Sequence, residues 1–439
     1  MNETPDMDDN NWRKCIVADI VAPIKNALVG GPFGSNLISR DYTPVGVPVI
    51  RGQNMGFGRW VSGEFVFVSL QKADDLSGNI AREGDLIFTQ RGTLGQVAIV
   101  PPKPYEKYVI SQSQMKLSAD KSKANVMFLY YLFSSQEHQE YIRQNAIQTG
   151  VPHTNLEHLR NTPLYLPPLS EQQKIVRILG SLDDKIELNR QMNETLETMA
   201  RAIFQSWFVD FDPVRAKADG RQPAGMDTEM AALFPEGLEV VDGREVPKGW
   251  PIGILGEIVE LRTDRIEVNA ERNNLRYIAL NDIPSKSLDL SYYQFGSDVN
   301  SSIIAFGKGD ILFGSMRPYF HKVGLTFFDG ITRTTTFVLR PRKKVFRHYS
   351  LFTLFSEDVV SFATTASVGT TIPYVKWDAL QDYSIVIPPE PLLDVFEKTV
   401  CSLIEKIGVN GEQSRTLAQI RDELLPKLLS GEISVDAKT

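Results

Sequence analysis

Two stretches of this chain repeat one plan, and no other feature limits its possible folds as much. Residues 84–168 run GDLIFTQRGTLGQVAIV, SQSQMKLSAD, an aromatic helical segment, then TGVPHTNLEHLRNTPLYLPP. Residues 309–389 run GDILFGSMRPYFHKVGLTFF, TRTTTFVLRP, an aromatic helical segment, then GTTIPYVKWDALQDYSIVIPP. Pro152 and Pro167 stand fifteen residues apart, and so do Pro373 and Pro388. Self-similarity of this kind predicts a repeated domain. The pattern persists while the surface residues change, which suits two units that grip similar but non-identical things.

Local signals fill in each copy. GGPFGSN (30–36) reads as a loop, and VPVIRGQNM (47–55) as a strand feeding a polar turn. DLIF (85–88) and QVAIV (96–100) read as strands around the turn TQRGTLG. Residues 125–145 read as helix, with Phe128, Leu129, Leu132, Phe133 and Ile142 as candidate core. PLYLPP (163–168) closes the first unit, because consecutive prolines cannot enter a helix interior. Trp250 takes the place of Trp12 at the start of the second unit.

Each copy runs into a long helical stretch. In the first, Ser170 and Gln173 form a capping-box-like start. Ile175, Leu179, Leu182, Ile186, Asn189, Asn193, Leu196, Ala200, Ile203 and Trp207 then alternate four and three residues apart, the spacing of a coiled-coil seam. In the second, Leu393, Phe396, Val400, Leu403, Ile407, Asn410, Ser414, Leu417, Arg421 and Leu424 do the same. Gly408 and Gly411 should weaken that helix by roughly 1 kcal/mol each, and Pro426 should kink or end it. Both seams are polar near the middle, at Asn189 and Asn193 and at Asn410 and Ser414. Antiparallel pairing would join these layers, and a buried polar layer fixes register. About 35 helical residues span ~50 Å at 1.5 Å per residue, enough to hold two domains apart.

The expected fold is α/β (α+β): two similar globular domains separated by a long antiparallel two-helix coiled coil. The boundaries are a disordered tail at 1–11, a domain at 12–168, a helix at 169–210, an irregular linker at 211–249, a second domain at 250–389, a helix at 390–433 and a tail at 434–439.

With 439 residues, 42% hydrophobic and 23% charged, the chain can bury ordinary cores. Its net charge of -7 argues against a uniformly basic nucleic-acid coat, though local basic patches act within a screening length. Cys15 and Cys401 are the only cysteines, without metal-ligand spacing, which fits a reducing compartment. The start lacks a signal-peptide pattern and no apolar run approaches a membrane span, so the expected location is the cytoplasm.

The segment PPLSEQQKIVRILGSLDDKIELNRQMNETLETMARAIFQSWFVDFDPVRAKADG resembles the central conserved region of the specificity subunit of type I restriction–modification enzymes. LLPKLLSGEI (424–433) resembles the end of its distal conserved region. GPFGSNLISRDY (31–42), VIRGQNM (49–55) and VPKGW (246–250) resemble pieces of its target-recognition domains. IPPEPLLDVFEK (387–398) departs from the LPPLSEQQKI form at 166–175. The resemblance implies that each globular unit is a target-recognition domain reading half of a split, asymmetric site in double-stranded DNA. It implies that the paired helices measure the gap and dock two methyltransferase (modification) subunits, which use S-adenosylmethionine to methylate adenine. ATP-dependent restriction subunits, with Mg, would complete a cutting complex. The specificity subunit would itself catalyse nothing and bind none of these cofactors.

Base reading needs donors and acceptors on turns, with arginine on guanine and Asn or Gln on adenine favoured. In the first copy the candidates are Arg51, Gln53, Asn54, Arg59, Gln90, Arg91, Thr93 and His153. In the second they are Arg276, Asn281, Arg317, His321, Lys322, Arg333 and Lys376. Arg91 and Arg317 fall at similar places after the GD strand. RPRKKVFRH (340–348) has no acidic residue and is a candidate phosphate contact. His138, His153 and His158 lack further ligands for a metal set. The glycines at 30, 31 and 34 lack dinucleotide-site context. LPPL and IPPE lack the flanking residues of a methyltransferase NPPY. The rival reading is a non-enzymatic scaffold with two protein-binding domains on a rigid helical rod.

Overall fold

The computed structural model describes residues 12–56, 58–147, 152–266, 274–296 and 303–433. The expected tails at 1–11 and 434–439 lie outside these. The chain divides into two units, 1–184 with 418–439, and 185–417. Two helices of 40 residues, Leu169–Phe208 and Glu390–Leu429, each contribute to both.

The first unit holds a four-stranded sheet in the order Leu28–Gly30, Gln114–Leu117, Leu86–Thr89, Val97–Ile99. A five-stranded sheet follows the order Tyr42–Thr43, Val66–Val68, Val47–Ile50, Tyr108–Ile110, Ile80–Ala81. Its one parallel pairing is between Val47–Ile50 and Tyr108–Ile110. Strand Leu86–Thr89 is buried along its length. Side chains alternate across a strand, so Leu86 and Phe88 enter one core with Phe128, Leu132 and Phe133, while Ile87 enters another with Ile50, Val61 and Tyr108. A strand covered on both faces reads as a continuous apolar run, hence LIF without alternation.

The second unit repeats this. Its four-stranded sheet has the order Val259–Arg262, Thr336–Pro341, Ile311–Gly314, Val323–Leu325. Ile311 and Phe313 enter one core and Leu312 another. In the five-stranded sheet, Gln294–Phe295, Arg276–Tyr277, Gly330–Arg333 and Ile303–Phe306 match the order of the last four strands in the first unit, again with one parallel pairing. Trp12 and Trp250 are both 3% exposed. Each precedes an edge strand, Arg13–Ile16 or Ile252–Ile254, that pairs with the strand before the closing prolines.

Within the second unit the two long helices lie side by side in opposite senses. Asn189 Nδ2 donates to the Asn410 carbonyl (3.3 Å) and to Ser414 Oγ (3.2 Å). Asn410 Nδ2 donates to Asn193 Oδ1 (2.9 Å), and Asn193 Nδ2 to the Ile407 carbonyl (3.2 Å). The polar middles therefore meet, as the spacing requires. Within the first unit Arg421 donates to Asp183 (2.8 Å), continuing the same antiparallel order. Ile175, Leu179 and Ile407 are fully buried; Leu182, Ile186, Leu196, Ile203, Leu417 and Leu424 are half-buried. Leu403 is half-buried too and packs on the same core as its fully buried neighbour Ile404 (1% exposed).

Several local expectations change. The aromatic helix at 125–145 is two helices, Val126–Ser134 and Gln136–Gln144, because Ser135 caps the second through His138 N. Helix Leu169–Phe208 begins before Ser170, so no capping box forms there. Gln172 is buried instead, its amide oxygen accepting from Asn125 N (2.8 Å) and its nitrogen donating to the Pro167 carbonyl (2.8 Å). Residues 211–249 are not an irregular linker. They form helices Asp212–Ala218 and Thr228–Ala232 and the hairpin Leu238–Val241/Arg244–Pro247. Phe211, Val214 and Phe234 lie in the core of the second unit with Trp207 and Trp250. Pro426 does not end its helix, which runs on to Leu429. A proline costs an interior helix one hydrogen bond and a clash, and burial of Leu428 in the first unit's core offsets that here.

Gly408 and Gly411 have a packing reason. A Cβ on Gly408 would overlap the Phe327 ring, and one on Gly411 would overlap the Ser291 side chain. Alanine at 408 gains about 1 kcal/mol of helix propensity but overpacks this contact, at about 1–3 kcal/mol. Gly408→Ala is therefore expected to lower stability in chemical denaturation; a rise would show that Phe327 moves aside freely.

Candidate nucleic-acid interface

In each unit three segments converge beyond the end of the GD strand, held by the same backbone bonds. In the first, Gln90 N donates to the Ser113 carbonyl (2.7 Å) and Thr154 N to the Gln90 carbonyl (3.0 Å). Arg91 pairs with His153, which also pairs with Ile147. In the second, Ser315 N donates to the Thr335 carbonyl (3.1 Å) and Val375 N to the Ser315 carbonyl (2.9 Å). Met316 pairs with Tyr374, which also pairs with Val368. The correspondence is therefore Gln90 with Ser315, Arg91 with Met316, and His153 with Tyr374. The expected match of Arg91 to Arg317 is off by one residue. Tyr374 and His153 each follow one of the repeat's prolines, so the proline phase carried that signal.

The turns present different chemistry. In the first junction Arg91 and Thr93 are exposed and Gln90 and His153 half-buried, on a turn that Gly92 (φ 96°) and Gly95 (φ 89°) reverse in left-handed conformations. Arg51 and exposed Gln53 sit beside it, since Ser111 N donates to the Ile50 carbonyl (3.0 Å). In the second junction Arg317, Arg333 and Lys376 are exposed. Arg317 is itself left-handed (φ 48°), held by its N–H on the Pro373 carbonyl (2.7 Å). A non-glycine residue in that region stores strain of order 1–3 kcal/mol, a frequent mark of functional turns. Exposed Tyr319, Phe320, Ile372 and Tyr374 interleave with these cations. A search for donors and acceptors passes over such apolar side chains. Asn281 is exposed on the loop 279–283, whose Leu280 lies against Gly314 at the end of the GD strand.

Five candidates are spent inside the fold. Asn54 is fully buried, bracing its loop through the Ser62 (3.1 Å) and Glu64 (2.8 Å) carbonyls and accepting from Arg51 N (3.0 Å). Arg59 is ion-paired to Asp184 and lies 5.2 Å over the Trp60 ring. Arg276 is stacked on Tyr293 (4.9 Å) and Phe328 (4.8 Å). His321 is buried with Nε2 at 2.8 Å from the Phe355 carbonyl. Lys322 Nζ donates to the Leu280 and Ile283 carbonyls, both at 2.8 Å. Much of the basic run 340–348 is ion-paired at the surface: Arg340 pairs with Asp310, Arg342 with Glu260, Lys343 with Glu390 and Arg347 with Glu397, while Arg342, Lys343 and Lys344 stay exposed.

Burial holds the imidazoles of His321 and His138 below their ordinary titration range because it disfavours the charged ring. A depressed folded pKa means that the unfolded chain binds the proton first. Both histidines therefore favour the folded chain above the ordinary imidazole pKa of about 6.5, and this contribution falls away as pH drops below it. Thermal denaturation across that range is expected to show stability falling with acid, and His321→Gln to flatten the fall. An unchanged pH profile in that variant would contradict the assignment.

Among the described residues no group of three metal-binding side chains occurs, and no helix is long and apolar enough to cross a membrane. Sequence comparison agrees with the geometry. Residues 41–198 match the family model described as the type I restriction modification DNA specificity domain. The chain is similar over most of its length to specificity subunits of type I restriction–modification systems. It is 26% identical over 399 residues to the Methanocaldococcus jannaschii type I restriction enzyme MjaIX specificity subunit, covering 85% of this chain and 84% of that one. It is 27% identical over 431 residues to the Haemophilus influenzae HindI specificity subunit, covering 86% and 93%. The crystal structure of the type I S subunit from M. genitalium has the same fold, with a TM-score of 0.54 at 18% identity over 97% of this chain and 99% of that one.

Proposed function

We propose that this chain reads a bipartite, asymmetric site in double-stranded DNA, one half through each junction, and catalyses nothing itself. The observation that carries this is the repeated three-segment junction, with one backbone scheme and two different sets of exposed side chains. Arg91, Thr93, Gln90 and His153 would read one half-site. Arg317, Arg333, Lys376 and Asn281 would read or position the other, through base edges and phosphates. The antiparallel helices act as a coiled-coil spacer between recognition domains at 12–168 and 250–389, and set the distance between half-sites. Apolar side chains left on the helices, Leu188 (50% exposed) and Val409 (60% exposed) among them, suit docking of two methyltransferase subunits and, beyond them, ATP-dependent restriction subunits. S-adenosylmethionine, ATP and Mg would be bound by those partners, and the assembly would act in the cytoplasm.

The test is duplex binding by the chain with its modification subunit across a salt series. Sequence-selective binding that weakens with salt, as counterion release requires, is expected. Stable assembly with the subunit but no selective DNA binding would instead support the protein-scaffold reading.

A further inference from the structure

Phe33 is 90% exposed, and no other large apolar side chain among the described residues is as open to water. It is not on a loose loop. Gly31 N donates to the Gln114 carbonyl (2.8 Å), and a side chain on Gly31 would overlap the Ser111 carbonyl. On the other side of Phe33, Gln112 Nε2 donates to the Gly34 carbonyl and to the Leu37 carbonyl (2.8 Å). Pro32 and Leu37 are buried, and Gly34 is left-handed (φ 57°). Both flanks of the ring are thus tied to residues 111–114. The same turn holds Gln90 through the Ser113 carbonyl, and so the exposed Arg91 and Thr93.

A pinned apolar ring beside polar, sequence-reading side chains has the makings of a wedge. Apolar side chains inserted at a base step unstack it, and a loop already fixed gives up little conformational freedom in doing so. We infer that Phe33 enters the base stack of the duplex beside the half-site read by the first junction. This rests on the DNA-reading function proposed above and assigns one residue the task of opening the helix there. An opened step is also cheaper to distort further, which would ease extrusion of an adenine toward a modification subunit.

The experiment uses the full chain assembled with its modification subunit. The probe is a short duplex carrying the site mapped from methylated adenines in cells that express both, with aminopurine at successive positions of the first half-site. Wild type is expected to raise aminopurine fluorescence at one step. Phe33→Ala should abolish that rise and weaken specific binding roughly tenfold to a hundredfold, the usual range for losing one aromatic–base stack. Phe33→Trp should retain both, and the melting temperature of each free chain should be unchanged. Wild-type fluorescence and affinity in Phe33→Ala would overturn the wedge while leaving the reading function intact. So would loss of assembly with the modification subunit in the absence of DNA, which would place Phe33 against protein. Absence of selective binding by wild type would remove both proposals together.

Discussion

Asp310→Ala is expected to destabilise its unit by about 3 kcal/mol, the lower end of the range for breaking a buried ion pair. Asp310 is 2% exposed and makes two hydrogen bonds of 2.7 Å to the Arg340 guanidinium. It also accepts from Gly307 N (2.7 Å), closing the turn that leads into strand Ile311–Gly314. Alanine leaves Arg340 without its partner and the Gly307 N–H without an acceptor. The guanidinium side is 40% exposed, so water recovers part of its hydration and the effect stays below the upper end of that range. Asp85 holds the same post in the first unit. It accepts from Arg82 N (2.8 Å) and Ser118 Oγ (2.5 Å) and lies 3.6 Å from Lys116 Nζ. Denaturant titration followed by tryptophan fluorescence measures the loss. A change within about 0.5 kcal/mol, as for an ordinary surface substitution, would show that the GD aspartate is dispensable.

The second large effect concerns the polar layer. Asn410→Leu leaves Asn193 Oδ1 buried with its donor gone, and an orphaned buried polar group costs about 1–3 kcal/mol. Asn193→Leu does the converse to Asn410 Nδ2 and also takes an amide from Asp289 (3.1 Å). The double change removes both members of the pair, and apolar replacement of both partners is close to neutral. Each single variant should therefore be clearly less stable than wild type, with the double recovering most of the loss, a coupling that a double-mutant cycle reads directly. Simple addition of the two losses would mean that the asparagines do not act as a pair. The recovered stability should come with weaker register, since an apolar seam no longer distinguishes one alignment of the helices from its neighbours.

What the sequence discloses and what it hides divide along contact range. Strand Leu86–Thr89, the helix seams and the polar middles follow from periodicities within a few residues of one another. The partners of Arg59 and Lys322 do not. Asp184 lies 125 residues from Arg59, and the carbonyls that Lys322 caps lie about 40 residues upstream. Reading these residues as solvent-facing followed from their place on turns, and only tertiary packing spends them inside. Residues 211–249 looked irregular because their anchors, Phe211, Val214 and Phe234, are scattered between short elements rather than spaced at one period. Gly408 looked like a weakness because Phe327 reaches it from 81 residues away. In the candidate site, the junctions were legible in outline from the proline phase, which pairs His153 with Tyr374. The aromatic side chains of the second junction were not, since nothing local separates an exposed tyrosine from a buried one.

The central claim is that each junction reads its own half of one site. Sequencing of methylated adenines in cells carrying this chain and its partner subunits, compared between wild type and an Arg91→Ala/Thr93→Ala variant, tests it most directly. The account predicts a two-part motif in which the variant relaxes one half and leaves the other half and the gap unchanged. Equal relaxation of both halves, or an unaltered motif, would contradict it.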